Sequence, residues 1–458
     1  MMPPHIGKTG GESSVRQSND GMLGAMPVPR LVVTMSLPIM LSMLISAVYN
    51  LVDSVYVAQY SDEAFLALSY AYPIQMLLVA FCSGIGVGFS AIFSRRLGEG
   101  DQEQAASAVC HGFFLYGLCW LLFLLFALTG AAPFLRLSTE DPSVARQGAQ
   151  YLLICCGLSI GTCMQFLTER ILQAMGRPAG FMIVQGSGAI LNLILDPIFI
   201  FVLDLGVAGA AAATVIGQIS GALIGFWLVY RLRRQLPIRL RGFRPRGEML
   251  AEMGRVAAPA VVMQSLSSFM SLGLNQLLTR WSQSAVFVLG AYFKLQTFIF
   301  MPIFGISSGL IPILSYNYGS GALRRVSASV RFGQQFTAVL SLSGALLLSL
   351  LASPLLRSAF RASPEALAMG APALRIIALS FFFAGTSIIF CSAFQSLGRS
   401  RWSLLVALLR QILLLLPAAA LLLALKPALV WAAFPLSELI SCFAAALLYR
   451  RTIQKQLL

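Results

Sequence analysis

The chain has 458 residues, of which 58% are hydrophobic and 11% charged, and carries a net charge of +15. Soluble globular proteins carry about 25% charged residues, so the composition excludes a protein bathed in water over its whole surface. The positive charge lies in short stretches between long apolar runs, which points to anionic headgroups and away from nucleic acid.

Taken in chain order, the apolar runs are 31–58, 65–94, 108–135, 148–173, 180–203, 207–230, 256–279, 285–316, 328–356, 367–397, 402–425 and 427–449. Each is about long enough to cross a hydrocarbon core of roughly 30 Å as a helix, and backbone groups in lipid must bond within their own segment. The expectation is an all-α membrane protein of twelve transmembrane helices in two pseudo-symmetric six-helix bundles. The N-terminus, the even-to-odd loops and the C-terminus carry most of the 32 Lys and Arg, and RLRRQLPIRLRGFRPR (231–246) alone holds seven Arg. This bias places both termini in the cytoplasm. The expected layout is a disordered cytoplasmic tail over 1–29, an N-terminal bundle over 30–232, a basic linker over 233–250, a C-terminal bundle over 251–450 and a tail over 451–458. Residues 1–29 lack an apolar signal core.

The eight Cys lie in or beside apolar segments at spacings that match neither a metal site nor a secreted disulfide framework, and read as core packers. With His5 in the tail and His111 near the start of segment 3, a histidine-based metal site or catalytic triad has little material. No Gly-rich phosphate loop leads into a helix. The expectation is therefore not an enzyme, with no cofactor.

The two halves copy each other. Residues 60–105 lie over 281–326 without a gap at an offset of 221, so that Ser61, Ala64, Leu68, Gln75, Gly84, Gly88, Ser94, Gly98 and Gly100 meet identical residues. ILQAMGR (171–177) matches AFQSLGR (393–399) at an offset of 222. Parallel repeats of this kind build transporters that hold their site near the midplane and alternate access by rocking the halves. Small residues in SGIGVG (83–88) and GISSG (305–309) allow close helix approach.

The acids inside apolar runs read as Asp53, Asp196 and Glu438, and such groups are functional candidates by default. In LNLILDPIFI (191–200), Asn192 precedes Asp196 by one helical turn, and Gln185 lies on the same face. Ser42, Ser46, Tyr49 or Asn50, and Asp53 form a matching stripe on segment 1. Lys294 and Arg410 read as the two bases within segments, with Glu438 a candidate partner for either. Gln75, Gln185, Gln296, Lys294, Phe293, Met301, Arg410 and Glu438 are candidates for a substrate cavity, since Met and aromatic side chains adapt to varied shapes.

AYFKLQTFIFMPIFGISSG followed by IPILSYNYGSG (291–321), ILQAMGRP (171–178), DPIFIFVLDLGVAGAAAAT (196–214), FPLSEL (434–439) and YNLVDSVYVAQY (49–60) resemble the multidrug and toxic compound extrusion (MATE) family. The match runs from about residue 31 to 450. It implies a V-shaped pair of bundles in the bacterial cytoplasmic membrane that exports cationic or amphiphilic drugs, driven by protons or sodium. The family's N-terminal cation site falls here on Asp53, Asn192, Asp196 and Thr214, with Tyr49 beside it and Pro38 at the bend of helix 1. No acid lies between 253 and 280, where some relatives hold a second site. Desolvation and mutual repulsion make a proton easy to hold on one of two buried carboxylates; a sodium ion on the same four residues is the other way to neutralise them. The expected partners are cationic or amphiphilic small molecules and membrane lipids, with no nucleic acid, and the expected state is a monomer. The rival is a flippase for lipid-linked sugars or cell-wall precursors; two within-segment bases, none in the N-terminal half, argue against its anionic cargo.

Overall fold

The structure is a computed structural model that describes residues 22–232 and 243–454. Among the described residues, ten helices are long and apolar enough to cross a membrane, and two bent pairs, each taken as one span, make the number twelve. They are α1 (Val28–Tyr60), α2 (Asp62–Gly98), α3 (Gln102–Thr129), α4 (Pro142–Gly157 with Ile160–Ala174), α5 (Pro178–Val202) and α6 (Gly206–Arg231). The second half repeats them as α7 (Gly247–Thr279), α8 (Gln283–Gly319), α9 (Leu323–Ala359), α10 (Pro364–Ala378 with Phe381–Ser396), α11 (Ser400–Leu425) and α12 (Pro427–Ile453). The protein is thus a multi-pass membrane protein, and the twelve spans match the twelve apolar runs.

The duplication extends to backbone detail. α4 bends by 43° and α10 by 42°, each opening on a proline, Pro142 and Pro364, that stand 222 residues apart. Pro38 lies inside α1 and Pro259 at the matching place inside α7. The left-handed turns after α2 and α8 fall on Gly100 (φ 78°) and Gly321 (φ 72°), and those after α4 and α10 on Gly176 (φ 71°) and Gly398 (φ 72°). Only glycine takes such φ values without steric cost, so the turns that the alignment pairs are built by paired glycines.

Separate apolar clusters fill the N-terminal bundle, around Phe89, Tyr116 and Leu167, and the C-terminal bundle, around Leu289, Phe381 and Ala419. Across the divide, α1 packs on α8, α7 on α2, and α2 on α8. One crossing of α2 and α8, with two symmetric contacts, closes one face. A Cβ on Gly98 would stand 2.0 Å from the Tyr316 carbonyl oxygen, and one on Gly319 2.2 Å from that of Arg95. Arg95 and Arg96 reach Glu252 of α7 at 3.5 and 2.8 Å, and the Arg95 guanidinium sits 4.9 Å above the Tyr318 ring. The α8 stripe that meets α1 is buried at Gly305 and Gly309 but opens further along, where Phe298 is 45% exposed and Lys294 is exposed. The bundles therefore touch at the face where α1 begins and part towards the opposite one.

Of the expected tail 1–29, residues 1–21 lie outside the described residues. Met22–Ala25 forms a helical turn and α1 starts at Val28. Buried Leu23 packs with Leu314 and Val326, and its carbonyl accepts from Asn317 Nδ2 (3.1 Å) and Arg325 (3.2 Å), so this part of the tail is folded onto the C-terminal bundle. In the expected linker, 233–242 lie outside the described residues and α7 begins at Gly247. Its entry is pinned by buried His111, whose Nε2 accepts from the Arg246 backbone N–H at 2.8 Å. Nδ1 therefore carries the proton and donates to the Ser107 carbonyl at 2.7 Å. At the C-terminus, Arg450–Gln454 continues the helix, and 455–458 lie outside the described residues.

Candidate functional site

The two polar stripes expected on α1 and α5 meet inside the N-terminal bundle. α5 and α6 approach backbone to backbone at Gly188 and Gly217, where a Cβ on either would stand 2.9 or 2.7 Å from the other's carbonyl oxygen. One turn along, this closeness lets Asn192 of α5 reach across. Its Nδ2 donates to Asp196 Oδ1 at 3.1 Å and to Thr214 Oγ1 of α6 at 3.3 Å. Asn192, Asp196 and Thr214 are all buried. Gln185, on the same face, donates to Ser46 Oγ of α1 and so ties the two stripes together. Ser42 Oγ donates to the Pro38 carbonyl at 2.9 Å, one turn back along α1.

Asp53 enters from α1 within electrostatic reach of Asp196, and Tyr49 lies within reach of both acids. Tyr49, and not the exposed Asn50, is the residue of its stripe that belongs here, since Asn50 turns back to the Ser46 carbonyl at 2.7 Å. Asp53 Oδ1, Asp196 Oδ2 and Asn192 Oδ1 are buried and accept no hydrogen bond among the described residues. Each unsatisfied buried acceptor costs about 1–3 kcal/mol, more when charged. A proton or a small cation relieves that cost, and a set made wholly of carboxylate, amide and hydroxyl oxygens suits a hard cation.

Sequence reasoning missed a second group. Glu169 and Arg170 of α4 are buried at 3% and 4% exposure, so a further acid and a further base lie inside the spans, and the N-terminal half does hold a base. Gln165 donates to Glu169 at 2.9 Å, Arg170 donates to Gln173 at 3.0 Å, and Gln173 donates to the Ser308 carbonyl of α8 at 2.7 Å. Tyr49 lies within electrostatic reach of Glu169 as well as of the two aspartates. Hydrogen bonds thus carry Arg170 through Gln173 to the contact between the bundles, with Glu169 beside it in sequence.

The C-terminal bundle carries no matching acid pair. Leu274 stands where the repeat would put Asp53. Arg410 and Glu438 pair with each other through three bonds of 2.8, 2.9 and 3.1 Å, with side chains 11% and 14% exposed. Lys294 takes no part in that pair. Replacing Arg410 or Glu438 alone by Gln is expected to cost roughly 3–5 kcal/mol, read as a fall in thermal stability in detergent. The joint change Arg410→Met, Glu438→Leu is expected to restore most of it. Phe293 packs against Tyr292 at a ring separation of 5.3 Å within the bundle core. Gln75 turns to Tyr151, while Gln296 and Met301 are half-buried on α8. Of the cavity candidates, Lys294 is the most clearly exposed to the opening between the bundles.

The MatE family model matches residues 38–198 and 259–421. Over 402 residues the chain is 26% identical to the multidrug export protein MepA of Staphylococcus aureus, covering 85% of this chain and 86% of that protein. It is also 26% identical over 417 residues to the FAD transporter of Shewanella oneidensis, covering 88% and 89%. A solved structure described as the outward-facing conformation of a multidrug resistance MATE family transporter of the MOP superfamily matches with a TM-score of 0.89 at 23% identity, over 95% of this chain and 97% of that one.

Proposed function

The chain belongs to the MatE family of efflux transporters, and we propose that it exports cationic or amphiphilic compounds in exchange for a proton or a sodium ion held by Asp53, Asn192, Asp196 and Thr214. The observation that carries this reading is the trio of buried oxygens, on two acids and an amide, with no donor among the described residues. Burying two carboxylates is tolerable when one positive charge is taken up between them. Uptake and loss of that charge change the electrostatics beside α1, which is the helix that packs on α8 across the divide. With the N-terminus assigned to the cytoplasm by the charge bias, the closed face is cytoplasmic and the cleft opens outward. An outward-open cleft releases cargo and loads the coupling ion, after which the bundles rock.

The reading places the protein in a bacterial cytoplasmic membrane, acting as a monomer. It is tested in everted vesicles given a fluorescent cationic dye on their outer, cytoplasmic face, where export is read as uptake into the lumen. Dissipating the proton gradient is expected to stop export, and dissipating a sodium gradient is expected to leave it running. Export that survives the loss of both gradients would sink ion exchange altogether.

A second reading rests on Lys294, an exposed base in the opening between the bundles with no ion pair among the described residues. One of the relatives is named an FAD transporter, and a lone ammonium suits a phosphate-bearing cargo. Competition decides between them: an anionic cargo predicts that FAD, and not excess dye, blocks uptake of labelled FAD. The flippase alternative is less supported, because Arg170 and Arg410 are buried and bonded within their bundles.

A further inference from the structure

Cys82 of α2, Cys119 of α3 and Cys163 of α4 bring their sulfurs within 4.8 Å of one another inside the N-terminal bundle. Cys82 and Cys163 are fully buried and Cys119 is 4% exposed; all three are free thiols, with Cys82 Sγ 3.7 Å from Cys163 Sγ. Their positions, 82, 119 and 163, give no local motif, since each comes from a different helix. Three sulfurs about 2.3 Å from one central atom stand about 4 Å apart in a flat triangle and somewhat closer in the pyramid that a trivalent centre with a lone pair adopts, and the 3.7 Å between the Cys82 and Cys163 sulfurs falls in that span.

We propose that this trio is a binding site for a trivalent thiophile, arsenite or antimonite, in a pocket separate from the acid pair. Charge decides the class of ligand. Three thiolates around a monovalent ion leave two negative charges in an apolar core, and around a divalent ion they leave one, a burial that costs several kcal/mol per charge. A trivalent centre leaves none. The exchange balances without any redox step: three S–H bonds and three As–OH bonds of arsenous acid break, three As–S bonds form, and three waters leave. Soft sulfur ligands select soft centres, whereas the oxygen set of Asp53, Asn192, Asp196 and Thr214 does not compete for them. Product formation fastens α2, α3 and α4 to one atom, so the loaded protein is stiffer in the bundle that carries the acids. Because the sulfurs are buried, loading is slow and needs hours of incubation.

The test uses the purified full-length protein in detergent, incubated with arsenite and desalted. The expected result is one arsenic per chain, a mass gain of one arsenic less three hydrogens, three sulfur neighbours in the arsenic X-ray absorption spectrum, and a higher unfolding temperature. Cys155→Ser with Cys156→Ser, which removes the adjacent buried dithiol, is expected to change none of these. Cys119→Ser is expected to lower the sulfur count to two and to speed arsenic loss on dilution at least tenfold. A wild-type spectrum with two sulfurs, retention lost in the Cys155→Ser, Cys156→Ser variant, or no retained arsenic would each overturn the proposal, and none of these readouts depends on transport.

Discussion

Asp196→Asn is expected to reduce gradient-driven export of a cationic dye more than tenfold while leaving expression and thermal stability close to wild type. The side chains are nearly isosteric, and the amide oxygen at 196 still accepts from Asn192, as Asp196 Oδ1 does now at 3.1 Å. What is lost is the ability to take and release a positive charge. The free Oδ2, buried and without a donor, is replaced by an amide nitrogen that needs no proton and attracts no cation. Asp53→Asn is expected to act in the same direction, and the double variant to be little worse than either single one, because two groups that share one ion do not contribute additively. Thr214→Val removes only a neutral oxygen and is expected to weaken export less. The measurement is the initial rate of dye transport in everted vesicles under an imposed gradient. A variant at 196 that exports at the wild-type rate would remove the acid pair from the mechanism.

The parts of the molecule that were legible in the sequence share a physical cause. Twelve apolar runs had to be helices because lipid offers no other partner for backbone groups. The offsets that paired Gly98 with Gly319 and Pro142 with Pro364 paired helix contacts and bends as well, since glycine and proline fix local backbone geometry. Asn192 and Asp196 were legible because polar groups one turn apart in an apolar run share a face. Glu169 and Arg170 were not, for a related reason. They lie in FLTERILQAMGR, near a run's end, where charges ordinarily sit among headgroups, and only the packing of α2, whose Gly86 lies against Arg170, and of α8 beyond Gln173 buries them. Leu23 was missed because a Gly- and Pro-containing neighbourhood reads as tail, while its anchor, Arg325, is about 300 residues away in sequence. The sulfur trio was illegible for the same reason of distance: local spacing carries no information about three helices that meet only in the folded bundle.

The joint substitution Gly98→Ala, Gly319→Ala is expected to abolish turnover although each change favours its helix. Alanine is the better helix former by up to about 0.8–1.0 kcal/mol, and neither glycine has the left-handed backbone that would penalise a side chain. The obstacle is the crossing. The new methyl groups would stand 2.0 Å from the Tyr316 carbonyl oxygen and 2.2 Å from that of Arg95, and these are backbone atoms of packed helices that cannot rotate away. Overpacking of this kind costs roughly 1–3 kcal/mol per site, so two clashes on the same crossing cost on the order of 2–6 kcal/mol and depopulate the closed face at least tenfold. Each bundle keeps its own apolar core, so folding survives while one end state of the cycle is lost. A reporter cysteine at Ser36, which is fully buried where α1 meets Gly309, makes the state visible. It is expected to resist a membrane-impermeant maleimide in the otherwise wild-type protein and to react in the Ala variant, with dye export reduced to background. Wild-type export in the double variant, or a Ser36→Cys thiol equally protected in both, would mean that the crossing at the two glycines is not a contact the transport cycle must make and break.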